Sequence, residues 1–491
     1  MADDSSRAAP AGARHTGRPQ RPLCSKTAAA GRRLLVAVVV ALALYAVYCL
    51  AQGYEGRHLP APLLPLSRPP YEPFAQVKPG PESGEPAEYT PAPVWRFERF
   101  ISADNPYQHY EAAAGILLAR GGALQAILAQ QSPGSFDQQV SKEELRAALR
   151  EVAPAIAELS RGAACDGAFW LGPYRRNSFS EVFPELSQLR TLAQVAAAYG
   201  RDLAQRGDAS AALDVFLDIV EEGNDLLHGP ELTYVSVSRA IQAIGLRPMH
   251  ELLAAGQLSA EDYARAAARL ERLAREQPPA ESIARRQYIV DRQATEEFFC
   301  SAPREVGGWR WALGGLTPWG EDVQKLYALR FVPGRRTIFV IRFDRRWRRT
   351  FAALKKPYPQ SLYELELLEK EQRRGPLSLF GLAPRFFKAL LAHRAVLRGT
   401  MLVCALEGYE LRAGAYPRSL GELVRAGLIS ALPEDPFAGR PFVYRRRKSG
   451  YLLYSIGPDA RDDGGKALRP FWRDKPGDIV FAKGLDIWHA R

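Results

Sequence analysis

The first unbroken apolar pattern in the chain is LLVAVVVALALYAVYCLA, residues 34–51. A run of this length is about enough to cross a bilayer as a helix. Arg7, Arg14, Arg18, Arg21, Lys26, Arg32 and Arg33 precede it against only Asp3 and Asp4, and few basic residues follow closely. The positive-inside rule therefore predicts a cytoplasmic basic tail over 1–33, a single transmembrane helix over 34–51, and everything beyond residue 52 outside the cytoplasm. A cleaved signal peptide ending at Cys49-Leu50-Ala51 is the alternative.

Periodicity is absent from 52–95, where LPAPLLPLSRPPYEP and KPGPESGEPAEYTPAPVW are dense in proline. Fixed φ and missing amide donors predict an extended spacer, which at roughly 3.1 Å per residue could reach about 120 Å. From 96 to 300 the pattern is helical. Ser141 with Glu144 and Ser259 with Asp262 are capping boxes that open two helices. Residues 189–223 predict two helices joined at Arg206-Gly207-Asp208, with Ala212 and Phe216 placed as in a tetratricopeptide unit. No second copy follows at that period, so a bundle and a repeat-like domain both remain open.

Residues 301–383 form a connecting region. By propensity TIFVIRF reads as a strand, yet Phe339, Phe343, Trp347 and Phe351 fall four apart, a stripe that only a helix aligns. The same helix carries Arg342, Arg345, Arg346, Arg348 and Arg349, with Lys355 and Lys356 just beyond. Lipid headgroups, an anionic glycan, or the acidic stretch ELELLEKE at 364–371 are the partners expected for it. Nucleic acid is not, given the predicted topology.

The last segment, 384–491, begins with a 30-residue helical pattern ending at Gly414. Pro417 and Ser419 stop one helix and start another, and Asp435-Pro436 with Gly439-Arg440-Pro441 punctuate a turn. PFVYRRR and GYLLYSI then predict a hairpin that packs on the long helix through Leu390, Leu397, Met401 and Cys404. Tyr416-Pro417, SLGELV, Asp435-Pro436-Phe437, Tyr444, Tyr454-Ser455, Gly457, Asp459 and Asp478-Ile479 occur in an order that resembles the globular domain of type II secretion major pseudopilins and their type IV pilin relatives. The likeness covers about 384–481. It implies a fold of a long helix plus a small antiparallel sheet. The whole chain is accordingly expected to be α+β, mainly α. Its combination of anchor and helical region also resembles membrane-anchored helical proteins of the bacterial envelope, which implies an inner-membrane protein with a periplasmic bulk.

The loop DARDDGG gathers carboxylates in a way that suits a hard, oxygen-seeking cation such as Ca²⁺. The resemblance implies calcium at Asp459 and Asp478, with Asp462 and Asp463 as further ligands. A turn whose aspartates only accept backbone hydrogen bonds is the alternative. The front of the chain departs from a pseudopilin: the apolar run lacks an acidic residue, and about 330 residues separate it from the pseudopilin-like helix. Polymerisation in the manner of a pilin is not expected.

Composition adds less. The formal charge is +12, part of it local to the tail. Of the five cysteines, Cys165, Cys300 and Cys404 would face an oxidising compartment, and their spacing favours buried thiols over a disulfide framework. The seven histidines are scattered, and no nucleophile elbow, phosphate loop or dinucleotide fingerprint is present. Glu221, Glu222, Asp225 and His228 could form a carboxylate–imidazole site, but an exposed helix face accounts for them more simply. These features point to a non-enzymatic envelope protein that binds secretion-system or other envelope proteins. The alternatives are a module that binds anionic glycan or lipid through Arg342–Arg349 and Arg445–Lys448, and an extracytoplasmic enzyme.

Overall fold

The computed structural model describes residues 38–44, 47, 62–63, 105–131, 140–165, 184–229, 231–300, 335–372, 382–448, 450–466 and 477–482. Most of the predicted anchor lies outside these residues. Its described part, 38–44, is helical and exposed. Among the described residues, the helix long and apolar enough to span a membrane is Pro384–Ala413, and 83% of its apolar window is buried inside the fold. It is a core helix.

The helical part consists of α1 (Pro106–Ala119), α2 (Gly121–Gln131), α3 (Lys142–Ala163), α4 (Pro184–Gln205), α5 (Ala209–Leu226), α6 (Leu232–Ala255), α7 (Ala260–Glu276) and α8 (Ala280–Cys300). Both expected capping boxes are formed: Ser141 and Glu144 cap α3, and Ser259 and Asp262 cap α7. Each satisfies amide donors that a helix start otherwise leaves orphaned. The turn between α4 and α5 closes at Arg206–Asp208. Gly207 takes the left-handed conformation there, and Asp208 caps the next helix through Ala211 N. At Gly200 of α4 a Cβ would overlap the Phe216 ring, so this glycine lets the α4–α5 hairpin close.

Two further helices, α9 (Arg335–Leu354) and α10 (Gln360–Gln372), pack on each other, and α9 also packs on α8. The aromatic stripe decides the element, as expected: Phe339, Phe343 and Trp347 are buried, and Tyr288 of α8 contacts Phe343, Trp347 and Phe351.

The C-terminal part contains α11 (Pro384–Ala413), the short α12 (Gly421–Arg425) and five strands. Strands β1 (Glu434–Asp435) and β2 (Arg440–Pro441) form a two-stranded ladder. A second sheet has the order β3-β4-β5, built from β3 (Val443–Arg447), β4 (Gly450–Ser455) and β5 (Ile479–Ala482), all antiparallel. The predicted hairpin is β3–β4, with Val443 opposite Tyr454. α11 ends where Gly414 adopts φ 72°.

One contiguous hydrophobic core runs from Tyr107 of α1 to Phe481 of β5, so helical part and C-terminal part are not separate bodies. α11 lies inside it. On one side Phe481 sits where a Cβ at Gly399 would go; on another, Gly408 lies against Tyr263 of α7. Polar contacts tie the same seam: His250 Nε2 to Thr400 Oγ1 at 2.8 Å, His393 to Gln242, Arg394 to the Pro278 carbonyl, and Ser430 N to Glu271 at 2.9 Å. One expected contact differs. Leu390 joins Leu227, Val235 and Ile283 of the helical part instead of the hairpin, because it faces the end of α11 that α5, α6 and α8 cover.

Candidate functional site

Asp218, Glu221, Glu222 and Asp225 stand at positions i, i+3, i+4 and i+7 of α5, which places them on one helical face. An exposed face is the simplest expectation for such a set. The structure overturns it: α5 packs against α1, α3, α4, α6 and α7, and all four carboxylates are buried, as is His228.

Two arginines from α7 answer part of this charge. Arg269 reaches Asp218 at 2.7 Å and Glu221 at 3.2 Å. Arg272 reaches Glu221 at 2.6 Å and Glu276 at 3.3 Å. Ser160 of α3 donates to Asp218 at 2.5 Å. From α1, the Tyr110 hydroxyl donates to Asp225 Oδ2 at 2.7 Å, and Tyr107 donates to the Asp225 carbonyl at 2.9 Å. Glu222 receives nothing: neither carboxylate oxygen has a hydrogen-bond partner among the described residues, and the Asn224 side chain, two positions on, is equally unsatisfied.

Burial raises the pKa of Glu222 and Asp225 well above the ordinary carboxylate range, reinforced at Glu222 by Asp225 and at Asp225 by Glu221 and Glu276. Burial also raises Asp218 and Glu221, against the pull of Arg269 and Arg272. His228 is driven down to about 3 by burial and by Arg286, so the imidazole is neutral. A cavity of about 290 Å³ lined by Ser160, Ala163, Ala164, Cys165, Asp218, Arg269 and Arg272 adjoins the cluster. Its charged lining is already paired internally. The arrangement binds α7 to α5 and holds neutral carboxylic acids in the core.

The acidic loop is built differently. Asp459 accepts from Arg461 N at 3.3 Å and Gly477 N at 3.1 Å. Asp462 accepts from the Tyr454 hydroxyl at 2.8 Å and from Gly464 N at 3.0 Å. Asp478 is buried and accepts from Gly465 N at 2.7 Å and Asp463 N at 3.4 Å. The Asp463 carboxylate is exposed. Loop and returning strand are thus stitched by carboxylate-to-amide bonds. Among the described residues no group of three or more His, Cys, Asp or Glu side chains is arranged to hold a metal ion. A hard cation would have to share Asp459, Asp462 and Asp478 with the amides that occupy them.

Behind the loop, Asp435 of the Asp-Pro-Phe turn is buried and accepts three bonds, from Phe437 N, Ser455 Oγ and Ile456 N, at 2.8–3.0 Å. Gly457 makes the closest approach: at φ 72° a Cβ would overlap the Gly477 carbonyl. Spacing in the sequence shows these residues as landmarks but not the hydrogen bonds that make them so.

The basic helix α9 finds the acidic stretch as one of its partners. Arg349 pairs with Glu371 at 2.5 Å and Lys356 with Glu364 at 2.8 Å, while Arg346 is buried. Arg445, Arg446, Arg447 and Lys448 are exposed along β3 and its turn. Cys404 is a buried free thiol, and Cys165 is partly exposed with its thiol donating to the Arg161 carbonyl at 3.4 Å. Sequence reasoning missed Arg269, Arg272 and Tyr110 as companions of the α5 acids. The available signal was the spacing of Arg269 and Arg272, one turn apart on a helix otherwise apolar toward the core.

Compared with known proteins, the chain matches no family model, no curated protein and no solved structure.

Proposed function

We propose that this chain is a membrane-anchored bacterial envelope protein without enzymatic activity, whose single folded body docks other envelope or secretion-system proteins. The observation that carries this reading is the burial of α11. Its faces are occupied by α6, α7 and α10 on one part and by β4 and β5 on another, all from the same chain. A long helix with 83% of its apolar window enclosed leaves little but its C-terminal turn to offer to copies of itself, which favours a docking body over a polymerising subunit. The charged cluster of α5 supports the same reading, since Arg269 and Arg272 with Asp218 and Glu221 are spent on joining helices. The pseudopilin-like module is then an integral part of the body, and calcium at Asp459, Asp462, Asp463 and Asp478 is a proposal that belongs to its stiffness.

Docking needs exposed contact residues. Leu118 of α1, Tyr363 of α10 and Leu411 of α11 are large side chains more than half exposed. The test is photo-crosslinking in cells from a benzoyl-phenylalanine placed at each of these positions, with buried Trp347 as control. Discrete adducts with other envelope proteins, absent from the control, are expected. A regular ladder of self-adducts would instead mean a polymerising subunit.

A further inference from the structure

The linker touches the fold much earlier than its proline content suggests. Leu63 N donates to the Tyr288 hydroxyl at 2.6 Å, and that hydroxyl donates to Asp344 Oδ1 of α9 at 3.0 Å. Pro62 and Leu63 are half-buried. The chain is therefore pinned to α8 and α9 twelve residues after the apolar run ends at Ala51. Even fully extended, that stretch spans about 40 Å, a third of the reach expected for the whole spacer.

α9 sorts its side chains by what surrounds it. Phe339, Phe343 and Trp347 go into the core, and α10 takes Arg349. The face left to solvent carries Ile338, Ile341, Arg342, Arg345 and Arg348, spaced to share one side of the helix. Ile338 is 50% and Ile341 44% exposed. Arg342 and Arg345 form no ion pair among the described residues, and Arg348 feels Asp344 one turn back without a salt bridge to it. Exposed guanidiniums beside exposed branched aliphatics suit the headgroup zone of a bilayer, where arginine binds phosphate with a forked set of donors and the aliphatic groups enter the acyl boundary. Charge complementarity and the short tether both select the membrane as the occupant.

We propose that the outer face of α9 docks on the anionic phospholipid surface of the bilayer that holds residues 34–51, so that the body lies on the membrane instead of standing off from it. This rests on the anchor reading of the preceding subsection.

The test uses the full chain in nanodiscs of phosphatidylcholine, with or without phosphatidylglycerol, and follows amide hydrogen exchange across 335–354. Exchange over 338–349 should be several-fold slower with the anionic lipid. About 0.5 M salt should remove the difference, since exposed charges are then screened within a few ångströms. The variant Arg342→Glu/Arg345→Glu/Arg348→Glu should remove it too, and Ile338→Ser/Ile341→Ser should reduce it. All five positions are exposed, and an unchanged melting temperature verifies folding. Equal exchange in both lipids overturns the proposal, as does protection produced only by an added anionic glycan. A chain that stays in the nanodisc but shows no protection overturns the docking face alone. A chain that fails to enter the nanodisc overturns the anchor, and the docking face with it.

Discussion

Glu222 is the residue whose chemistry departs most from what its sequence position suggests. A buried carboxyl without a partner stays protonated, and its raised pKa links folding to pH. The folded state holds protons that the unfolded state releases above the ordinary glutamate pKa. The contribution is therefore complete below about pH 4 and declines as pH rises from there toward the folded pKa. Asp225 acts in the same direction. Asp262 opposes both at the acid end: although burial pulls it upward, its bonds to Ser210, Ser259 and Arg265 hold it down at about 2, so its contribution is lost as pH falls below 4. Glu222→Met removes the orphaned carboxyl and keeps most of its volume. It should raise stability at pH 8 by about 1–3 kcal/mol, the cost of keeping a buried polar group without a hydrogen bond. The gain should shrink toward pH 4.5. Denaturant unfolding at the two pH values measures both, and an equal or negative change at pH 8 would mean that Glu222 has a partner in solution.

At the scale of elements, period and punctuation made most of the fold legible before any coordinates. The boxes Ser141–Glu144 and Ser259–Asp262, the Arg206–Asp208 turn, the aromatic stripe of α9, the stop at Gly414 and the β3–β4 hairpin all form. These are local signals, carried by residues within one or two turns of each other. The α5 acids were misjudged because burial depends on what packs against a helix, and Arg269, Arg272 and Tyr110 come from about 50 and 110 residues away. Leu390 meets Leu227, Val235 and Ile283 and not the expected hairpin for the same reason. The acidic loop was legible as a carboxylate cluster, but its hydrogen bonds depend on β5 returning beside it. Asp478 is the hinge of that arrangement. Asp478→Ala should cost about 1–3 kcal/mol in the presence of chelator, because it orphans the amides of Asp463 and Gly465. Thermal melts of the full chain with calcium and with chelator check this. A calcium-dependent rise in Tm seen in the unmodified chain and lost in Asp478→Ala would give the same carboxylate a second role. An unchanged Tm for the variant in chelator would contradict the structural one.

The whole molecule is a tightly joined assembly of helices with a small sheet wrapped on α11, and its core shows no break between the helical and C-terminal parts. Fragments that divide it at residue 383 would expose the seam of His250, Tyr263, Glu271 and Gln242, so experiments on its function belong on the full chain. The linker's contact at Tyr288 leaves twelve residues of chain between residue 51 and the body. Every functional statement about it depends on residues 34–51 lying in a membrane with the body outside the cytoplasm. Protease shaving of intact spheroplasts, followed by alkaline carbonate extraction, measures that directly. The account predicts cleavage from the outside, with a short N-terminal fragment left in the carbonate-resistant membrane. Full protection until lysis, or complete release of the chain by carbonate, would contradict it.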